Sequence, residues 1–330
     1  MKAILTNAAG VLQTSDIAKP ALPSEHHLRV RLSAAGVNPV DAKLRARPVY
    51  HPDKLPAILG CDGSGIVEET GSRVTRFKAG DAVYFCNGGL GDEPGCYAEY
   101  TTLHEDYCAS SPASIPLQDA AALPLVCITN WEALNDRAKL ERGQTMLIHA
   151  AAGGTGHIAL QMAHHLGARI AVTVGDTRKA ALAQALGAEK IILHKEQDFV
   201  EETLKWTDGK GVDMVYDNVG GDTFLRSMNA AKIGGSLVTL LSTPLSLADA
   251  QLARLRNLSI CFEMMLTPQI MSQHEERIRQ RKILEECARM VDAGELGVLI
   301  SHRLTIDETA EAHRLLESGG MTGKIILTMG

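Results

Sequence analysis

Residues 149–161 read HAAAGGTGHIALQ, a run of small side chains that passes into an apolar segment with helical spacing. The run TMLIHA (145–150) leads into it and has the composition of a buried strand. A strand that ends in small residues and opens a helix is the setting of a dinucleotide-binding fingerprint, whose three spaced positions fall here on Ala151, Gly153 and Gly156. Glycine at 153 lets backbone approach a pyrophosphate, glycine at 156 lets helix and strand close together, and the helix start offers amides and a positive dipole end. Ala152, Gly154 and Thr155 complete the turn and are candidates for the same contact.

Outward from this turn, strand-like and helix-like runs alternate. ARIAVTV (168–174), AEKIIL (188–193), VDMVY (212–216), GSLVTLL (235–241) and LSICFEMM (258–265) are separated by helical stretches such as RKAALAQALG and DFVEETLKW. Nearly continuous apolar strands between helices predict a doubly wound, six-stranded parallel sheet, a Rossmann domain over 123–267. The first 120 residues differ, with short β-type runs (KAILT, HLRVRLSAAGV, SGIVEET, DAVYFC) punctuated by Gly, Pro, Asn and Asp. The tail returns to that style after a charged helix over 274–294 and is expected to complete the first domain, giving 1–122 with 268–330.

At 330 residues, two domains are the expectation. A net charge of −6 with scattered basic residues lacks the concentrated basic face that nucleic acid or an anionic membrane requires. Neither a signal-peptide core nor an apolar stretch of membrane-spanning length is present, so the expected location is the cytoplasm. Seven scattered cysteines, an odd number, predict reduced thiols.

The acid that holds an adenosine ribose usually ends the second strand, where this chain has Gly175. Glycine removes a carboxylate that would repel a 2′-phosphate, and Arg178 and Lys179 follow within reach, which favours NADPH. Asp176 opposes that preference, since a shift of one residue restores an acid and favours NADH.

The chain resembles the medium-chain dehydrogenase/reductase superfamily, in its zinc-free quinone oxidoreductase (zeta-crystallin-like) branch. The resemblance is carried by AAGVNPVDAKLR (34–45), PAILGCDGSGIVEETGSRVTRFKAGDAVY (56–84), CYAEY (96–100), ITNWEAL (128–134), the phosphate loop through Gln161, VYDNVGG (215–221) and GKIIL (323–327). His164 departs from the branch signature, which carries Lys, Arg or Ser there. The resemblance implies a GroES-like domain beside the Rossmann domain. It also implies that Asn38 replaces a zinc-ligating Cys and that Cys61-Asp62 replaces a His-Glu pair, so that no metal is expected.

By the same resemblance, Asn38 is expected at the nicotinamide and substrate end, with Tyr50 and Lys43 in the acceptor pocket and Asp41 bracing the turn after Asn38-Pro39. Thr129, His194 and Lys324 match cofactor-contacting positions, and Asn218 and Ser242 follow the fourth and fifth strands, where ligands of open α/β sheets gather. The activity implied is hydride transfer from NADPH to a quinone or similar conjugated carbonyl. Alternatives are an alkenal or enoyl reductase, a zinc-type alcohol dehydrogenase and, in another class, a nucleotide-loaded crystallin-like or RNA-binding protein. LSICFEMM, as an open apolar edge strand, predicts a homodimer through Leu258 to Met265.

Overall fold

A computed structural model describes residues 1–7, 10–46, 52–91 and 93–330. It divides into two compact units, Met1–Ile128 with Leu266–Gly330, and Thr129–Met265.

The second unit is built on a six-stranded, wholly parallel sheet. Its strands lie in the order Lys190–Leu193, Arg169–Val174, Thr145–Ile148, Val212–Asp217, Ala231–Thr239, Ser259–Phe262. In sequence rank that is 3-2-1-4-5-6, the doubly wound order whose reversal point lies beside the first strand. The six apolar runs form these six strands because parallel strands are covered on both faces: Met146, Leu147, Ile148, Ile170, Val172 and Val215 have no more than trace exposure. Three of the helices among the described residues of this unit begin where a side chain accepts from free amides. Asp198 accepts from Val200 and Glu201 N–H at 2.8 and 3.2 Å, and Ser246 with Asp249 forms a reciprocal capping box. After the helix Pro124–Trp131 the chain winds through a π-helical segment, Glu132–Arg137, that the apolar pattern does not announce.

The first unit centres on the long strand His27–Val37. Antiparallel partners flank it: Lys324–Thr328, Asp62–Thr70 and Tyr100–His104. The path continues outward to Ile300–Thr305 on one side and to Ala82–Cys86 and Ala109–Ser110 on the other. A smaller sheet joins Leu12–Asp16, Lys2–Thr6 and Ala57–Ile58. The tail therefore supplies an interior strand of this unit, and the helix His274–Asp292 turns Ile283, Leu284, Cys287 and Val291 inward. At the end of the central strand, Gly36 is opposite Asp62 and Val37 is opposite Ile325, which sets three distant pieces of chain around Asn38.

Candidate functional site

In the second unit, the turn between Ile148 and Gly156 is shaped by backbone approach. Ala150 takes a left-handed conformation (φ 53°), the alanine methyl being the smallest that position can carry after glycine. A Cβ on Gly156 would run into the Ala150 carbonyl and stand 2.7 Å from Ala151 Cα, and one on Gly153 would stand 3.2 Å from the Ala150 oxygen. The two glycines thus let the helix Gly156–His165 start hard against the strand that precedes it. Gly153 N–H donates to the Ala150 carbonyl at 2.9 Å and His157 N–H to the Gly153 carbonyl at 3.1 Å, which closes the turn onto the helix start, where the leading amides of a helix lack intrahelical acceptors. Around them, Asn130 Nδ2 donates to the Thr155 carbonyl at 3.0 Å, and Tyr216 OH donates to Asn130 Oδ1 at 2.9 Å. Gln161, the signature glutamine, donates to the His157 carbonyl at 2.8 Å and so holds the first helical turn from behind.

At the C-terminal end of the fourth strand, Asn218 Nδ2 donates to the His149 carbonyl at 3.0 Å, while its Oδ1 is buried with no hydrogen-bond partner among the described residues. Asp217 secures the turn beneath, accepting from Val219 and Gly220 N–H and from Thr239 Oγ1 at 2.7 Å. His149 is buried between Thr173 Oγ1 and Ser227 Oγ, 3.0 Å from each. Burial pushes its imidazole down to about 4, with the Asp217 carboxylate opposing that shift, so it is neutral and structural at ordinary pH. Ser242 lies exposed in the loop after the fifth strand, and Thr129 is buried on the helix Pro124–Trp131.

The end of the second strand is bare. A Cβ on Gly175 would meet only His194 Nε2 at 3.4 Å and Lys195 Cε at 3.8 Å. Asp176, which the sequence left in competition with Gly175, caps the helix Thr177–Ala185, its Oδ1 accepting from Lys179 N–H at 2.9 Å. That hydrogen bond leads the interactions holding its carboxyl below the usual range, and Lys179 Nζ stands 3.9 Å from its Oδ2. Arg178 is exposed beside it. Two basic side chains, His194 and Lys195, thus border the place where a ribose-binding acid would have been, and Arg178 and Lys179 follow on the first turn of the adjoining helix. Lys195 escaped the reading of the sequence. The signal for it lies in the parallel register, since Val174 pairs with Leu193 and the residues following the two strands are therefore neighbours.

In the first unit, Asn38, Asp62 and Lys324 form a buried cluster. Asn38 Nδ2 donates to Asp62 Oδ2 at 2.8 Å, and Lys324 Nζ donates to Asn38 Oδ1 and, at 3.3 Å, to the Val37 carbonyl. The ammonium stands 3.8 Å from Asp62 Oδ2, and the other Asp62 oxygen accepts from Leu125 N–H at 2.8 Å. Burial pushes the Asp62 carboxyl up and the Lys324 ammonium down, and their mutual attraction works against both shifts. Next to them, Asp41 Oδ2 accepts from Asn38 N–H at 2.8 Å and Tyr97 OH at 3.0 Å, bracing the turn into the helix Pro39–Ala46. Tyr97 OH also lies 3.2 Å from His313 Nε2. Burial raises Asp41 to about 7 and lowers His313 to about 4. Lys43 is exposed on the same helix, and Tyr50 lies outside the described residues.

This donor set does not suit zinc. A neutral amide replaces a thiolate or imidazole, and a lysine ammonium already serves as the cation between Asn38 and Asp62. Among the described residues, no three His, Cys, Asp or Glu side chains group to hold a metal ion.

Comparison with known proteins agrees with this architecture. Residues 24–113 match the alcohol dehydrogenase GroES-like domain, and residues 186–327 match a zinc-binding dehydrogenase domain. A quinone oxidoreductase of Pseudomonas aeruginosa is 33% identical over 94% of this chain and 93% of its own. An alcohol dehydrogenase superfamily protein from Novosphingobium aromaticivorans superposes with a TM-score of 0.91 at 31% identity over the whole of both chains. The Escherichia coli quinone oxidoreductase complexed with NADPH superposes with a TM-score of 0.87 at 30% identity, again over the whole of both chains.

Proposed function

The chain belongs to the quinone oxidoreductase branch of the medium-chain dehydrogenase/reductase superfamily, and from that premise we propose that it is a zinc-independent oxidoreductase that uses NADPH to reduce a quinone or similar conjugated carbonyl. The observation that carries the reading is the bare end of the second strand. Gly175 offers no carboxylate, Asp176 is committed to a helix cap, and basic side chains stand around the space. A 2′-phosphate fits there, whereas a lone ribose hydroxyl would lack its usual acid.

The second unit is the dinucleotide unit. Ala152, Gly153, Gly154, Thr155 and Gly156 hold the pyrophosphate through backbone amides. Gly175, Arg178, Lys179 and His194 hold the adenosine 2′-phosphate. Asn218 Oδ1, a buried acceptor with no partner among the described residues, takes a donor from the nicotinamide half, and Thr129 and Ser242 are proposed as further cofactor contacts. The family resemblance further implies Asn38 and Lys324 as nicotinamide contacts and Lys43 and Tyr50 as acceptor contacts. When bound, the reduced nicotinamide supplies the hydride. With the Lys324 ammonium as the cation between Asn38 and Asp62, the reading favours acceptors that are already electrophilic.

Incubating purified protein with NADPH or NADH and a panel of quinones, enones and alkenals, while following nicotinamide absorbance, tests the reading. The expected result is NADPH oxidation with quinones that survives exhaustive chelation. Absence of turnover with every acceptor overturns the enzyme, and a preference for NADH overturns the assignment of the Gly175 end. Activity that needs added zinc overturns the metal assignment.

Two further expectations belong to the same proposal. The strand Ser259–Phe262 ends the sheet with Phe262 and Met264 about half exposed, and Leu255 is exposed nearby in sequence, which supports pairing with a second copy of the chain. No helix among the described residues is long and apolar enough to cross a membrane, and none of the seven cysteines forms a disulfide; a cytoplasmic enzyme accords with both.

A further inference from the structure

We infer that His194, with Lys195 beside it, makes the grip on a 2′-phosphate depend on pH, so that preference for the phosphorylated dinucleotide sharpens as the solution becomes more acidic. The inference rests on the reading that the second unit takes NADPH. Its footing is the register of two parallel strands. Pairing of Val174 with Leu193 sets Gly175 beside His194, and the missing Cβ of Gly175 would stand 3.4 Å from His194 Nε2. The ring nitrogen therefore borders the space that glycine leaves open, and Lys195 Cε borders it at 3.8 Å. Both side chains are exposed, so either can reorient toward an anion without unpacking the core.

Other charged groups also face this space. Arg178 and Lys179 come from the helix Thr177–Ala185, and Asp176 caps that helix. Glu196 follows in the same turn as His194, and the buried His149 feels the charge of His194 from beneath, with Asp217 beyond it. Lysine and arginine keep their charge across the physiological range, and the capped carboxylate of Asp176 is held ionised. Histidine is the side chain whose charge ordinarily changes between about pH 5 and 8. Its imidazolium donates a charge-assisted hydrogen bond to phosphate; the neutral ring donates a weaker one or none. A phosphate monoester itself gains a proton near about pH 6, which works in the opposite direction and limits the useful window to about pH 6.5–8.

Calorimetric titration with adenosine 2′,5′-bisphosphate and adenosine 5′-monophosphate isolates this end of the site from the nicotinamide. For the unaltered protein, the ratio of the two affinities should rise roughly two- to fourfold between about pH 8 and about pH 6.5, a part of the tenfold limit that one pKa unit of linkage sets. His194→Gln should flatten or reverse that slope. Lys195→Gln should lower the ratio roughly three- to tenfold at both pH values and keep the slope. Both variants change exposed residues, and unaltered melting temperatures show that they remain folded. A slope that persists in His194→Gln overturns the inference, as does a flat ratio in the unaltered protein that still prefers the bisphosphate; either result leaves the NADPH assignment standing. Equal binding of the two fragments at every pH overturns both.

Discussion

The phosphate turn of the second unit and the Asn38–Asp62–Lys324 cluster of the first are both polar, but they use polarity in opposite ways. The turn is made of backbone from residues adjacent in sequence, and its hydrogen-bonding capacity is left open by glycines whose missing side chains keep the approach clear. The cluster is made of side chains far apart in sequence, and they spend their capacity on each other. An open set has affinity left for a ligand, whereas a closed set contributes to folding and holds its members in place.

The contrast breaks most sharply at Lys324. Lys324→Met should lower the unfolding free energy by about 3–5 kcal/mol, because it strands the buried Asp62 carboxylate. Urea titration measures this, and binding of adenosine 2′,5′-bisphosphate should be unchanged at concentrations of urea where the variant is folded. A loss below about 1 kcal/mol would mean that the cluster is solvated rather than closed. Gly156→Val tests the other side. It should abolish measurable dinucleotide binding, a loss of at least about a hundredfold, and cost about 1–3 kcal/mol of stability, since the Ala150–Ala151 turn backbone occupies the space a side chain needs.

Asp41 sharpens the comparison through pH. Its folded value is about 7 against an ordinary 3.8, so the folded chain keeps a proton that the unfolded chain has released. The stabilisation is therefore full below about pH 4 and is lost as pH rises to about 7. Asp41→Asn should remove that decline, seen as a difference in urea midpoint between variant and unaltered protein that changes from about pH 4.5 to 7.5. The difference is needed because His149 and His313, both lowered to about 4, act with the opposite sign over an overlapping window. The smallest effect on folding belongs to the sheet edge. Phe262→Lys should stay within about 0.5 kcal/mol of the unaltered stability, as exposed substitutions do, yet shift sedimentation from dimer to monomer.

The contrast also explains what was legible in the sequence. All six parallel strands and the phosphate turn could be read, because strand burial writes an apolar run and close backbone approach writes a glycine. Pairing of Asn38 with Lys324 could not, since nothing local records which cation from the tail reaches an amide near the start of the chain. Asp176 and Gly175 were ambiguous in sequence by one position. The cap settles their roles, because an aspartate that accepts from the amide three residues later is fixed by helix geometry. Lys195 is not marked by any local pattern; only the parallel pairing of Val174 with Leu193 makes the ends of the second and third strands one place.

The origin of Lys324 on a late strand also bears on synthesis. The second unit is a single continuous span, Thr129–Met265, and all of its strands have been made before the tail begins. The first unit has its anion, Asp62, before that span and its cation, Lys324, after it, and its central strand lacks the neighbour Lys324–Thr328 until the second unit has been made. On the ribosome, then, the part that starts first closes last, and its unpaired strand edge must be kept from other chains while the nucleotide unit is already folding.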